Sequence, residues 1–196
     1  MSGIDIAPDE LQPASFSFDA ETAAKADKIV AKYPPAKKQS AVMPLLDLAQ
    51  RQHGGWIPRA AIEMIADRLE MPSIRVWEVA TFYTMYYLAP KGTHKVQVCT
   101  TTPCWLRGSD DVVAACKAKL GIDFGQTTED GMFSLHEVEC LGACVNAPMI
   151  QIDDDYFEDL DKASTERILD AFKAGEKPAH GPQSGRRGSE PAKIDA

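Results

Sequence analysis

The stretches CTTTPCWLRG (99–108) and CLGACVNAP (140–148) put four of the chain's five cysteines into two short loops, spaced C-x4-C and C-x3-C. Each loop follows a segment that reads as a β-strand. Residues 94–99 alternate Lys95 and Gln97 with Val96 and Val98, as a strand with one covered face does, and they end at Cys99. Residues 133–139 are a second strand candidate, running directly into Cys140. Two loops that both leave strand ends can meet at one end of a sheet, where functional groups concentrate.

Between the loops, Ser109 reads as the cap of a helix, with Asp110 and Asp111 in its electropositive first turn and Gly121 after its last. Beyond the second loop, segments 149–152 and 156–160 flank Asp153-Asp154-Asp155. That triplet looks like a hairpin turn, although two-residue turns prefer glycine. A last helix over 162–174 carries Ile168, Leu169 and Phe172 and stops at Gly175. The order strand, helix, strand, strand, strand, helix over 94–175 predicts a small α/β layer, in which two amphipathic helices cover one face of four strands.

An odd number of cysteines, four of them clustered in a chain that opens without an export signal, argues for metal rather than a disulfide framework. Four thiolates can hold two irons bridged by two sulfides. Such a unit is anionic and becomes more so on reduction, so backbone amides near the sulfurs must offset its charge. Gly142 would allow a close amide approach. Glu137 and Glu139, if near, would disfavour the extra electron, and the dipole of the helix starting at Ser109 would act in the opposite sense. Structural zinc remains open, although its usual C-x2-C knuckles are absent. Uncoordinated or redox-active thiols are a third reading, weakened by the same absence. His136 lies near Cys140 and is a further donor, which four cysteines make unnecessary; His53, His94 and His180 read as helix-end, strand-edge and tail residues. Cys116, in DDVVAACKAKLG, shares a helical face with Val112, Val113 and Leu120 and reads as a small hydrophobe.

Upstream, residues 17–90 read as helices and turns. Asp19 is an N-cap for a helix reaching Tyr33 and stopped by Pro34-Pro35. A second helix over about 40–52 carries Val42, Leu45, Leu46 and Ala49 on one side, with Pro44 tolerable in the first turn. Gly54-Gly55 ends it. Pro58 looks like the first-turn proline of a third helix, with Ala61, Ile62, Ile65, Ala66 and Leu69 at helical spacing. Ser73 reads as the cap of a fourth, which runs into the aromatics Phe82, Tyr83, Tyr86 and Tyr87. These suit either the core of the helical part or a subunit interface. Residues 1–16 are polar and aperiodic and are expected to be loose. The Gly, Pro, Arg, Lys and Ser-rich segment 176–196 has little to bury and is expected to be disordered.

The two cysteine loops, together with VECLGACVNAPMIQIDDDYFEDL (138–160), GGWIPRAAIEMIADRL (54–69) and VWEVATFYTMY (76–86), closely resemble the 24 kDa-type iron–sulfur subunit family of respiratory NADH:quinone oxidoreductase, complex I. The resemblance covers roughly residues 20–172. It implies an α+β architecture with an N-terminal helical docking domain (17–90) followed by a thioredoxin-like [2Fe-2S] ferredoxin domain (91–175). It further implies that Cys99, Cys104, Cys140 and Cys144 are the ligands of one [2Fe-2S] cluster. That cluster would exchange one electron with FMN held by a separate NADH-binding subunit, as a side carrier. Leu69-Glu70 departs from the family's frequent Leu-Gly and puts the local helix end in question. Related subunits occur in NAD-linked hydrogenases and formate dehydrogenases, so the machine is less defined than the module. A zinc-stabilised binding module is the reading from a different class.

Composition narrows the partners. The 196 residues carry a formal net charge of −8, which argues against nucleic acid or an acidic membrane surface. No apolar run approaches the roughly 20 residues needed to cross a bilayer. The opening MSGIDIAPDE is acidic and lacks the features of a secretory or mitochondrial leader, which together with the family resemblance implies the cytoplasmic side of a bacterial inner membrane, peripheral through the assembly, with a processed mitochondrial form as the alternative. Neither G-x-G-x-x-G after a strand nor G-x-x-x-x-G-K-[ST] occurs. Hydride chemistry is therefore assigned to a partner, and the isolated chain is expected not to oxidise NADH.

Overall fold

Asp19 starts the first helix as its sequence position predicts, accepting the Thr22 amide at 2.7 Å ahead of α1 (Ala20–Val30). The structure, a computed structural model, describes residues 5–187. They form two compact units, one ending at Lys91 and the other beginning at Gly92.

In the first unit, α1 stops before Tyr33 because the amides of Lys32 and Tyr33 turn back to Ile29 and Val30 in tighter turns. A 3-10 segment, Pro35–Ala41, leads into α2 (Val42–Gln52), which begins two residues later than predicted and keeps Pro44 in its first turn. α3 (Arg59–Leu69) begins just after Pro58, which occupies the cap position instead of the first turn. α4 (Ser73–Phe82) is likewise preceded by Pro72, so Ser73 is its first helical residue and makes no side-chain cap. Every apolar position assigned to a covered face of α2 and α3 is buried, in a core that also takes Val76 and Ala80 from α4.

Glu70 does adopt the left-handed conformation that glycine would favour (φ 53°), and the Met71 amide closes the end of α3 on the Ala66 carbonyl at 2.9 Å. The aromatic cluster divides. Tyr86 is buried and its Oη donates to the Met43 carbonyl at 2.9 Å, whereas Phe82 is 77% exposed and Tyr83 is also exposed. Residues 5–16 are tied down, contrary to expectation. The Ala7 amide donates to Leu88 O, Gln12 Nε2 donates to Ala7 O, and Gln12 Oε1 accepts the Arg59 amide. Such single ties have no period, which is why they leave no pattern in the sequence.

The second unit follows the predicted order with small additions. β1 (His94–Cys99) is followed by a short α5 (Thr102–Leu106), α6 (Ser109–Leu120), β2 (Phe133–Val138), β3 (Ile150–Ile152), β4 (Asp155–Glu158), α7 (Lys162–Lys173) and β5 (Gly181–Pro182). The sheet order is β2-β1-β3-β4-β5, with β1 parallel to β2, β3 antiparallel to both β1 and β4, and β5 parallel to β4. Val96, Val98, Leu135, Ile150, Ile152 and Phe157 form one buried face against Val112 and Cys116 of α6 and Ile168, Leu169 and Phe172 of α7. Burying each large aliphatic or aromatic side chain contributes about 2 kcal/mol.

Three local features set this frame. Gly92 lies so close to β2 that a Cβ would fall 2.3 Å from the Phe133 carbonyl carbon, a backbone atom that cannot swing aside. Asp153 substitutes for glycine in the hairpin at φ 54°, and its carboxylate is used by the Lys95 amide (3.0 Å) and His94 Nδ1 (2.8 Å). Asp161 and Ser164 form a reciprocal capping box at the start of α7.

Ser109 is not a cap but the first residue of α6, preceded by Gly108 at φ 94°, and its Oγ is buried without a hydrogen-bond partner. The segment from 176, expected to be disordered, instead adds β5 to the sheet edge, and the Gln183 amide donates to Glu158 O at 2.9 Å. A two-residue strand held by backbone pairing needs no apolar pattern. Residues 188–196 of that expected tail, and residues 1–4, lie outside the described residues.

Candidate metal centre

β1 delivers Cys99 at its last residue, and α5 delivers Cys104 from within its single turn. Both are 1% exposed. The Thr101 hydroxyl lies 3.3 Å from Cys99 Sγ, and the Thr100 hydroxyl donates to Glu137 Oε1 at 2.9 Å, so the loop is tied down between its cysteines.

The second loop leaves β2 and ends in a 3-10 turn, Cys144–Asn146. Cys140 and Cys144 are exposed, with their Sγ atoms 3.4 Å apart. Gly142 takes φ 87° and turns its amide to Cys140 Sγ at 3.4 Å, the close approach its residue type predicts. Tyr156 Oη donates to Leu141 O at 2.9 Å, and the buried Asn146 donates through Nδ2 to Glu158 Oε2 at 2.7 Å.

The loops meet at one end of the sheet. Cys99, Cys104, Ala147 and Met149 are buried together, with Leu141, Ala143 and Tyr156 packed against them. Thiol energetics carry the same message across the loops. Burial pushes the Cys99 thiol up, but hydrogen bonds from Thr101, Cys104 and the Leu141 amide outweigh it and leave the thiol below its usual range. Burial, then the neighbouring Cys99, pushes Cys104 up to about 12, against a lowering from the Met149 amide. Cys144 is raised chiefly by its hydrogen bond to Cys140, with further contributions from the charge of Cys140 and Cys99. The Cys99 amide donates to the Met149 carbonyl at 3.4 Å, joining the end of β1 to the segment just beyond the second loop.

Among the described residues no three Cys, His, Asp or Glu side chains close around a single ion. The exposed pair, 3.4 Å apart, comes near the separation of two ligands on one metal: thiolates on a tetrahedral ion with bonds of about 2.3 Å lie about 3.8 Å apart. A structural zinc would take all four thiols onto one ion. A [2Fe-2S] cluster would take four thiols two and two, and the cysteines of the two loops are a donor set that can supply them.

The remaining sulfur and the histidines are occupied elsewhere. Cys116 is buried in α6 within the sheet–helix core, and burial pushes its thiol up to about 12. His136 Nε2 lies 3.0 Å from Ser134 Oγ, and His94 pairs with Asp153. His53 stacks edge-on with Phe16 and Trp56, and burial lowers its pKa. Thr101, Tyr156 and Asn146, which shape the site, were not singled out from sequence; Tyr156 and Asn146 act on partners many residues away and leave no spacing to read.

Residues 26–173 match the family described as thioredoxin-like [2Fe-2S] ferredoxin. The chain belongs to this family. Within it, the chain is 59% identical over 159 residues to the E-type subunit of NADH-quinone oxidoreductase from Rickettsia bellii, covering 81% of this chain and 95% of that one. It is 56% identical over 158 residues to the protein of the same name in Rickettsia typhi, covering 81% and 93%. To the mitochondrial NADH dehydrogenase [ubiquinone] flavoprotein 2 of Dictyostelium discoideum it is 50% identical over 182 residues, covering 93% and 74%. Among solved structures, an NAD+-reducing [NiFe]-hydrogenase in the H2-reduced state is similar with a TM-score of 0.59 at 19% identity, covering 68% of this chain and 23% of that one. That last likeness is one of fold. No helix among the described residues is long and apolar enough to cross a membrane.

Proposed function

We propose that Cys99, Cys104, Cys140 and Cys144 hold one [2Fe-2S] cluster, and that the chain serves as the iron–sulfur electron-transfer subunit of an NADH:quinone oxidoreductase, complex I. Its electron partner is FMN on a separate NADH-binding subunit. The observation that carries this reading is the convergence of two thiol pairs, from two strand-end loops, in a member of a [2Fe-2S] ferredoxin family that is 59% identical to a component of NADH-quinone oxidoreductase. When bound, such a cluster supplies one-electron chemistry, which a hydride donor such as NADH reaches through a flavin.

The chain's own residues divide the work. The four thiolates bind. The amides of Gly142, Leu141 and Met149 offset negative charge on sulfur, and Ala147, Met149, Leu141 and Tyr156 keep water from the buried side. Cys140 and Cys144 present the exposed side to a partner. Exposed Ile74, Phe82, Tyr83 and Met85 support a docking role for the helical unit, since such side chains are enriched at interfaces. The proposed location is the cytoplasmic face of a bacterial inner membrane, peripheral through the assembly.

Iron and acid-labile sulfide should each be present at two per chain, and chemical reduction should give a one-electron paramagnetic resonance signal. NADH alone should give no turnover, and adding the flavin-bearing subunit should open a path to the cluster. Protein holding zinc and no iron would overturn the assignment. Copurification of the native assembly distinguishes a quinone-reducing complex from a hydrogenase or formate dehydrogenase built on the same module.

A further inference from the structure

The segment after α7 lies beyond the family match, which ends at residue 173, yet it reaches back to the second cysteine loop. β5 and the Gln183 amide fix it along β4. Ser184 Oγ then donates to Asp159 Oδ2 at 2.7 Å, and Arg186 Nε donates to the same oxygen at 2.6 Å. Arg186 Nη2 divides between Asp159 Oδ1 and the Val145 carbonyl, the latter at 2.9 Å. Val145 directly follows Cys144.

Two observations separate this contact from an ordinary surface ion pair, which contributes little. The Asp159 side chain is only 8% exposed, and its own amide donates to Asn146 O at 2.8 Å, so the acceptor is itself part of the loop's support. Arg107, three residues after Cys104, lines the same recess of about 370 Å³ with Asp159, Ser184 and Arg186, and its charge also acts on Asp159. One carboxylate therefore lies between a cation beside the first cysteine loop and a cation bonded to the second.

We propose that Arg186 is a positioning residue for the metal centre: oriented by Asp159, its guanidinium holds the Val145 carbonyl and with it Cys144. The strap over 181–186 thereby becomes part of the second loop. The inference rests on Cys144 being a cluster ligand. A guanidinium can bond a carboxylate edge and a carbonyl together, whereas an ammonium cannot reproduce that fork. The same positive charge, one residue from an exposed ligand, favours the reduced state of an anionic centre.

The test uses the full chain with its native cluster, as wild type, Arg186→Gln, Arg186→Lys and Asp159→Asn, each checked for folding by circular dichroism. Hydrogen exchange is read at the amides of Asn146 and Ala147, which close the loop on Ala143 O and Cys144 O. Arg186→Gln should speed that exchange several-fold and lower the midpoint potential. Arg186→Lys should recover the potential without recovering the protection. Asp159→Asn should also loosen the loop but move the potential upward, a sign that a purely structural contact would not produce. Iron-replete Arg186→Gln protein with unchanged exchange and potential would overturn this proposal alone. Iron-free wild-type protein would overturn the cluster reading and this proposal with it.

Discussion

The first cysteine loop is held by regular structure and the second by side chains reaching in from elsewhere. Cys99 ends a strand and Cys104 sits in a helical turn, so backbone hydrogen bonding fixes both, and both are buried. Cys140 lies on an exposed excursion after β2 and Cys144 opens its closing 3-10 turn, and the loop is anchored by Tyr156, Glu158 and Arg186 from later in the chain. The difference shows how one centre can be rigid on its deep side and accessible on the other. Burial on the deep side strengthens the electrostatics around sulfur. Exposure on the other side leaves an edge for electron exchange.

The largest effect that can break this comparison comes from the proposed ligands. Cys104→Ala and Cys144→Ala should each abolish the native paramagnetic resonance signal and the iron and sulfide content, whereas Cys116→Ala should preserve them. Retention of the native signal without Cys144 would mean that the exposed loop is only packed beside the centre.

The rigidity of the deep side is tested at Gly92→Ala. The added methyl meets Phe133 backbone at 2.3 Å beside the start of β1, and the expected loss is about 3 kcal/mol in urea unfolding. On the exposed side, Asn146→Ala removes a charge-assisted hydrogen bond from a residue 1% exposed, with an expected loss of about 2 kcal/mol. Tyr156→Phe removes one neutral hydrogen bond, for about 1 kcal/mol. If Tyr156→Phe costs as much as Gly92→Ala, the contrast between the two supports fails.

At neutral pH no effect is expected from Cys116, which belongs to the sheet–helix core and acts only as pH rises. Cys116 has its thiol pushed up to about 12 by burial, above the roughly 8.5 of an unfolded cysteine. The sign follows from linkage: its contribution to stability is fully present below about pH 8.5 and is lost as pH rises toward 12. Cys116→Ala should therefore flatten the alkaline decline in stability of metal-free protein while leaving the neutral-pH thiol reactivity of Cys140 and Cys144 unchanged.

Legibility in the sequence followed the range of the interactions. The covered faces of α2 and α3, the Asp19 cap, β1 and the strand–helix order of the second unit all come from neighbours within a few residues, and they could be read directly. Ser73 and Ser109 misled because a cap-type residue beside Pro72 or after Gly108 can equally be the first helical residue. The αL end at Glu70 was visible only as a departure from the family pattern. The tie of residues 5–16 to Leu88 and Arg59, and the strap after α7, had no local signature at all.

The sequence by itself determined which four cysteines stand in two strand-end loops, and which faces of the helices and strands are apolar, because spacing and periodicity are properties of a chain segment. Only the tertiary structure decided that Tyr156 Oη braces Leu141, that Asn146 reaches Glu158, and that Arg186 joins Asp159 to the Val145 carbonyl. Those are single hydrogen bonds between groups far apart in sequence. They exist because sheet pairing and core burial bring the segments together, and no regularity along the chain records them.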